Sequence, residues 1–120
     1  MNTILPIQGL TLTKITGGVG DDEILFRTEC GRHFKMYHPQ DCCESVCVED
    51  ICGDFNDLIG SPILMAEEVT SYEGPPPEHA ESYTWTFYKF ATVRGSVTVR
   101  WLGESNGYYS ESVDFTEIAQ

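Results

Sequence analysis

Apolar and polar positions alternate with a period of two along most of the chain, and turn-forming residues rather than helical stretches separate the runs. Leu10 to Ile15 alternates in this way before the loop Gly17-Gly18-Val19-Gly20-Asp21-Asp22. Ile24 to Cys30 and His33 to His38 predict a hairpin joined through Gly31-Arg32. Pro39-Gln40-Asp41 is a second turn, leading into a strand from Cys43 to Glu49. Gly53-Asp54 predicts a helix start, with Asp54 as N-cap, Phe55, Leu58 and Ile59 on one face, and Gly60 as the stop.

Pro62 to Tyr72 reads as another strand, and Gly74-Pro75-Pro76-Pro77 as a stiff exposed loop, since proline cannot donate to a ladder. In the C-terminal third, Tyr83, Trp85 and Phe87 alternate with Thr84, Thr86 and Tyr88. Val97, Val99 and Trp101 alternate with Ser96, Thr98 and Arg100, and Tyr109, Glu111, Val113 and Phe115 follow the Gly103-to-Gly107 turn. Alternation with one aromatic face describes an antiparallel meander packed on one side. The expected fold is mainly β (α+β): an antiparallel sheet with one short helix, in a single domain over residues 1–120.

Charge changes the picture more than composition does. The net charge is −12, and from Met36 to Tyr88 there is no Lys or Arg while eleven carboxylates fall there. Apolar content is that of an ordinary globular protein, so the charge does not imply disorder. It argues against direct binding to nucleic acid or to an anionic membrane, because each phosphate contact needs a cation. It favours a basic protein partner. Within the acidic block, Glu44, Glu49, Asp50, Asp54, Asp57, Glu67 and Glu68 are the candidate partner-binding residues, although such a run is also what a plain solvated face looks like.

No apolar run approaches the ~20 residues of a membrane span, and the start of the chain has no basic leader. The expected location is the cytoplasm, where five cysteines should stay reduced. Four of them, Cys42, Cys43, Cys47 and Cys52, fall close to His38. On an extended strand Cys43 and Cys47 share a face, so His38, Cys42, Cys43, Cys47 and Cys52 form a candidate ligand set for zinc, which suits mixed nitrogen and sulfur donors. The spacing is not that of paired zinc knuckles, and buried thiols acting as small hydrophobes fit the pattern equally well. Cys42 or Cys43 beside His38 would also supply a thiol and a base, but no third orienting residue is identifiable nearby.

The run Tyr37-His38, Gln40-Asp41-Cys42-Cys43-Glu44-Ser45-Val46, Glu49-Asp50-Ile51, Gly53-Asp54 and Asp57-Leu58-Ile59-Gly60 resembles the signature of a family of small phage and prophage proteins. The strand Glu81 to Lys89 and the turn Asn106-Gly107-Tyr108-Tyr109-Ser110 belong to the same pattern. Among phage proteins of this size and acidity, the chain looks similar to zinc-containing inhibitors of the type II CRISPR nuclease. That resemblance implies a non-enzymatic anti-CRISPR protein that keeps target DNA from loading, and it places the ligand role on His38, Cys42 and Cys43. The competing expectations are a small metal- or thiol-dependent enzyme acting on a small-molecule defence signal, and a structural or regulatory phage protein.

Overall fold

Two long strands, β7 (Ser82–Thr92) and β8 (Gly95–Ser105), form the central hairpin, paired residue for residue from Ser82↔Ser105 to Thr92↔Gly95 around a Val93-Arg94 turn. Their Thr, Val, Tyr, Phe and Trp content is what a pleated, half-buried surface accepts best. The computed structural model describes residues 2–71, 81–107 and 109–118. The Pro75–Pro77 loop, Glu73, Glu78 and His79 lie outside the described residues.

The other strands are β1 (Asn2–Ile4), β2 (Leu12–Thr16), β3 (Glu23–Thr28), β4 (His33–Tyr37), β5 (Ser45–Cys52), β6 (Met65–Ser71) and β9 (Asp114–Ile118). They make two antiparallel sheets, ordered β1-β6-β7-β8-β5 and β2-β3-β4-β9. The sheets pack face to face over one core. Ile24, Phe26, Phe34 and Met36 of the smaller sheet meet Tyr88, Phe90, Val97, Val99 and Trp101 of the larger. Phe26 and Phe90 have ring centroids 5.7 Å apart, and the Trp101 indole N–H donates to the Met36 sulfur at 2.9 Å. Among the described residues no helix is long and apolar enough to cross a membrane.

The mainly-β expectation and the β3–β4 hairpin stand, but four details differ. The segment before β2 contributes an extra strand, β1, paired with Glu67, Glu68 and Val69 of β6. The helix is a single four-residue 3₁₀ turn, Phe55–Leu58. Asp54 does cap it, accepting from the Asn56 N–H at 2.9 Å, but Ile59 is already extended and bridges Leu12, which returns the chain to sheet. The C-terminal strands do not form a meander. Both edges of β8 are taken, by β7 and β5, so the chain crosses to the other sheet and β9 pairs with β4.

The fourth difference decides where the site lies. Thr84, Thr86 and Tyr88, not Tyr83, Trp85 and Phe87, face the interior along with Phe90. Trp85 is also buried, but on the outer side of the sheet, where the Arg100 guanidinium lies 4.9 Å from its ring. The inner face of β7 therefore grades from Phe90 and Tyr88 at the hairpin end to Thr86, Thr84 and Ser82 at the other.

Candidate functional site: a hydroxyl- and carboxylate-lined cleft

At the hydroxylated end of β7 the sandwich opens into a cleft of about 390 Å³. Its floor is the inner face of β6 and β7, carrying Glu68, Thr70, Thr84 and Thr86; its wall is formed by Gly107 and by residues 109–113, ahead of β9. Glu111 fastens that wall, because its two carboxylate oxygens accept from the Thr84 hydroxyl at 2.8 Å and from the Ser105 hydroxyl. Close packing here requires Gly103: a Cβ at that position would lie 2.5 Å from the Glu111 carbonyl oxygen. Glu68 accepts from the Tyr88 hydroxyl, which lies 3.2 Å from the Val113 carbonyl. Burial, then the hydrogen bond to Glu68, pushes the Tyr88 phenol well above its ordinary range, so it stays a neutral donor.

The far side of the wall is held from β4. The His38 Nδ1–H donates to the Ser112 carbonyl at 2.7 Å, while Nε2 lies 2.8 Å from Glu44 Oε2. The Glu44 carboxylate also accepts from the Asp41 N–H, the Cys42 N–H and the Gln40 amide, at 3.0, 2.9 and 3.1 Å. Desolvation acts to raise the Glu44 pKa. The hydrogen bonds from Cys42, His38 and Asp41 outweigh it and hold the group at about 2, against 4.5 in the open. The Gln-Asp-Cys-Cys-Glu loop is thus folded around its own glutamate.

The expected metal ligands are not assembled in this arrangement. Both His38 nitrogens are engaged, and the sulfurs of Cys42 and Cys43 are joined to each other in an exposed loop, leaving Cys30, Cys47 and Cys52 free. Cys47 is half-buried on the outer face of β5, and Cys52 sits at the exposed end of that strand with its Sγ 3.6 Å from Asp50 Oδ2. Among the described residues no group of three or more His, Cys, Asp or Glu converges on one point.

The seven candidate partner-binding acids are divided. Glu44 is enclosed by its loop and Glu68 faces the cleft, so neither belongs to an exposed face. Glu67 lies on β6, on the other side of β7 and β8 from β5. Asp57 is half-buried, close enough that a Cβ on Gly95 would lie 2.9 Å from its Oδ2. Glu49, Asp50 and Asp54 remain near the end of β5, with Asp50 3.6 Å from Arg100. The fold adds acids that the sequence block did not contain. The Gly17-to-Asp22 loop pairs with Val48, through Gly20 N–H to Val48 O at 2.8 Å and Val48 N–H to Asp21 O at 2.9 Å. Burial, then the nearby charges of Glu49, Glu104 and Asp22, raises the Cys47 thiol above its usual range.

Sequence reasoning missed Thr84, Thr86, Ser105, Glu111 and Ser112. The available signal was the threonine pair on a strand whose counter-face is aromatic, together with a carboxylate just beyond the Asn106-to-Ser110 turn.

An antiparallel β-sandwich with a polar cleft at one end is the class of domain that the fold and the site define. The chain belongs to the family described as Domain of unknown function (DUF7448), which matches residues 3–115. No curated protein and no solved structure matches it.

Proposed function

We propose that this domain is a non-catalytic binding protein whose carboxylate-rich β5 edge engages a basic surface on a protein partner. One observation carries the reading: three separate stretches of chain bring Asp22, Glu49 and Glu104 to β5. Glu49 lies on β5, Glu104 pairs with Ser45 from β8, and the loop before Asp22 is hydrogen-bonded to Val48. Their charges add to burial in opposing ionisation of Cys47. A surface of this sign draws a cationic partner at long range and weakens in salt. The resemblance of the Tyr37-to-Gly60 and Glu81-to-Lys89 segments to small phage and prophage proteins, together with the likeness in size and acidity to inhibitors of the type II CRISPR nuclease, suggests the partner, the positively charged DNA-loading channel of that nuclease. Occupation of that channel would keep target DNA out by competition.

The test is affinity for a purified nuclease–guide complex, measured at two salt concentrations for the wild type and for the triple variant Asp22→Lys, Glu49→Lys, Glu104→Lys. The expected result is at least ~10-fold weaker binding by the variant and a shallower salt dependence. Unchanged affinity in the variant would reject the acidic edge, and no binding by the wild type would reject this nuclease as the partner.

A further inference from the structure

The cleft beside β7 has a chemistry of its own, distinct from the β5 edge. Among the described residues no Lys, Arg or His lines it, whereas two carboxylates and several hydroxyls do. Anionic ligands such as phosphates would meet uncompensated negative charge there. An apolar ligand would strip water from the hydroxyls without replacing their hydrogen bonds. A cation carrying several N–H donors answers both requirements, because charge-assisted bonds to carboxylate are the strongest available.

A second observation points to a ligand. Thr86 is 2 % exposed, lines the cleft, and has no side-chain hydrogen-bond partner among the described residues. Its cross-strand neighbour is Thr70, another cleft residue. A side chain so nearly buried usually has its hydroxyl satisfied, and Thr86 borders the cleft, where a ligand would supply the partner. The carboxylates beside it are already oriented, Glu111 by Thr84 and Ser105 and Glu68 by Tyr88. Each retains lone pairs beyond those contacts. Prior orientation of this kind lowers the ordering cost of binding. A volume of about 390 Å³ holds a group of arginine or diamine size, and Tyr109 supplies a ring at the wall.

We infer that the cleft bounded by Glu68, Thr86 and Glu111 is a binding site for an organic cation, a guanidinium or primary ammonium group that bonds both carboxylates and the Thr86 hydroxyl. The inference is independent of the β5 edge, so charge reversal there should leave it intact. The shared chemistry has two sources, a free amine or an arginine side chain on a protein.

The experiment is an amide-NMR titration of the full chain with Nα-acetyl-arginine methyl ester, with agmatine and with an acetylated arginine-containing tripeptide amide; the neutral analogue Nα-acetyl-citrulline methyl ester serves as control. Saturable shifts at Thr84, Thr86 and Ser112 are expected with the cations, and at least ~10-fold weaker binding with citrulline. Tighter binding of the tripeptide than of agmatine assigns a protein side chain, and the reverse assigns a free amine; both support the site. Glu111→Gln should weaken the cations by roughly tenfold. Because Glu111 also anchors the wall, Thr86→Val serves as the second variant and should weaken binding about threefold or more with the spectrum otherwise preserved. The inference is overturned if no cation saturates the site, if citrulline binds as well, or if neither variant changes the affinity.

Discussion

The His38 imidazole and the Glu44 carboxylate lie 2.8 Å apart with both side chains essentially out of solvent, six residues apart in a loop that closes around them. Since Ser112 accepts from the other ring nitrogen, this pair joins the Gln-Asp-Cys-Cys-Glu loop to the wall of the cleft. A buried pair of this kind gives position more than stability, but loss of one partner strands the other.

The pair sets a pH dependence. Glu44 is held at about 2 in the folded chain against 4.5 when free, so its contribution is complete above about 4.5 and declines as the pH falls toward 2. The urea midpoint should drop across that window, and Glu44→Gln should flatten the decline while lowering the midpoint at neutral pH. A midpoint that follows the same curve in wild type and variant would contradict the assignment.

Gly103 should be intolerant of a side chain. A methyl group there would meet the Glu111 carbonyl oxygen at 2.5 Å and the Glu111 Cβ at 2.8 Å. We expect Gly103→Ala to destabilise by about 1–3 kcal/mol in urea unfolding, the range for overpacking. The displaced atoms belong to the wall, so the amide signals of Ser110 to Val113 should shift most.

The inward face of β7 is checked by two truncations on one strand. Phe90 is fully buried against Phe26, so Phe90→Ala should cost about 3–5 kcal/mol. Phe87 points to the outer side and is half-buried, so Phe87→Ala should cost much less. A larger loss from Phe87→Ala than from Phe90→Ala would mean that the strand faces the other way.

The thiols should differ in reactivity. A hydrogen bond from Thr28, then backbone contact at Arg32, lowers the exposed Cys30 thiol, whereas burial and neighbouring acids raise Cys47. Thiolate is the reactive form, so iodoacetamide at mildly alkaline pH should label Cys30 well before Cys47. Peptide mass spectrometry reads the order directly, and prior labelling of Cys47 would refute it.

Period-two patterning, the glycine and proline turns and the Asp54 cap were sufficient to place most strands, the β3–β4 hairpin and the single helical turn within a few residues. Those features are local: each depends on a residue's own dihedral preferences and its nearest neighbours. The charge of the Met36-to-Tyr88 block is equally plain in the sequence, but its distribution in space is not. Glu44 and Glu68 turned inward because hydrogen-bond donors met them there, whereas Asp22 and Glu104 joined the β5 edge through strand pairing across long sequence separations.

What the sequence determined by itself was a β protein of strong negative charge with a cysteine-rich loop near its centre. Only the tertiary structure decided which side of β7 was the inside. Alternation is symmetric between two faces, and this strand carries large residues on both. The choice fell to the opposing sheet, whose Phe26 and Phe115 pack against Phe90 and Tyr88 and draw the threonines of the same face inward with them.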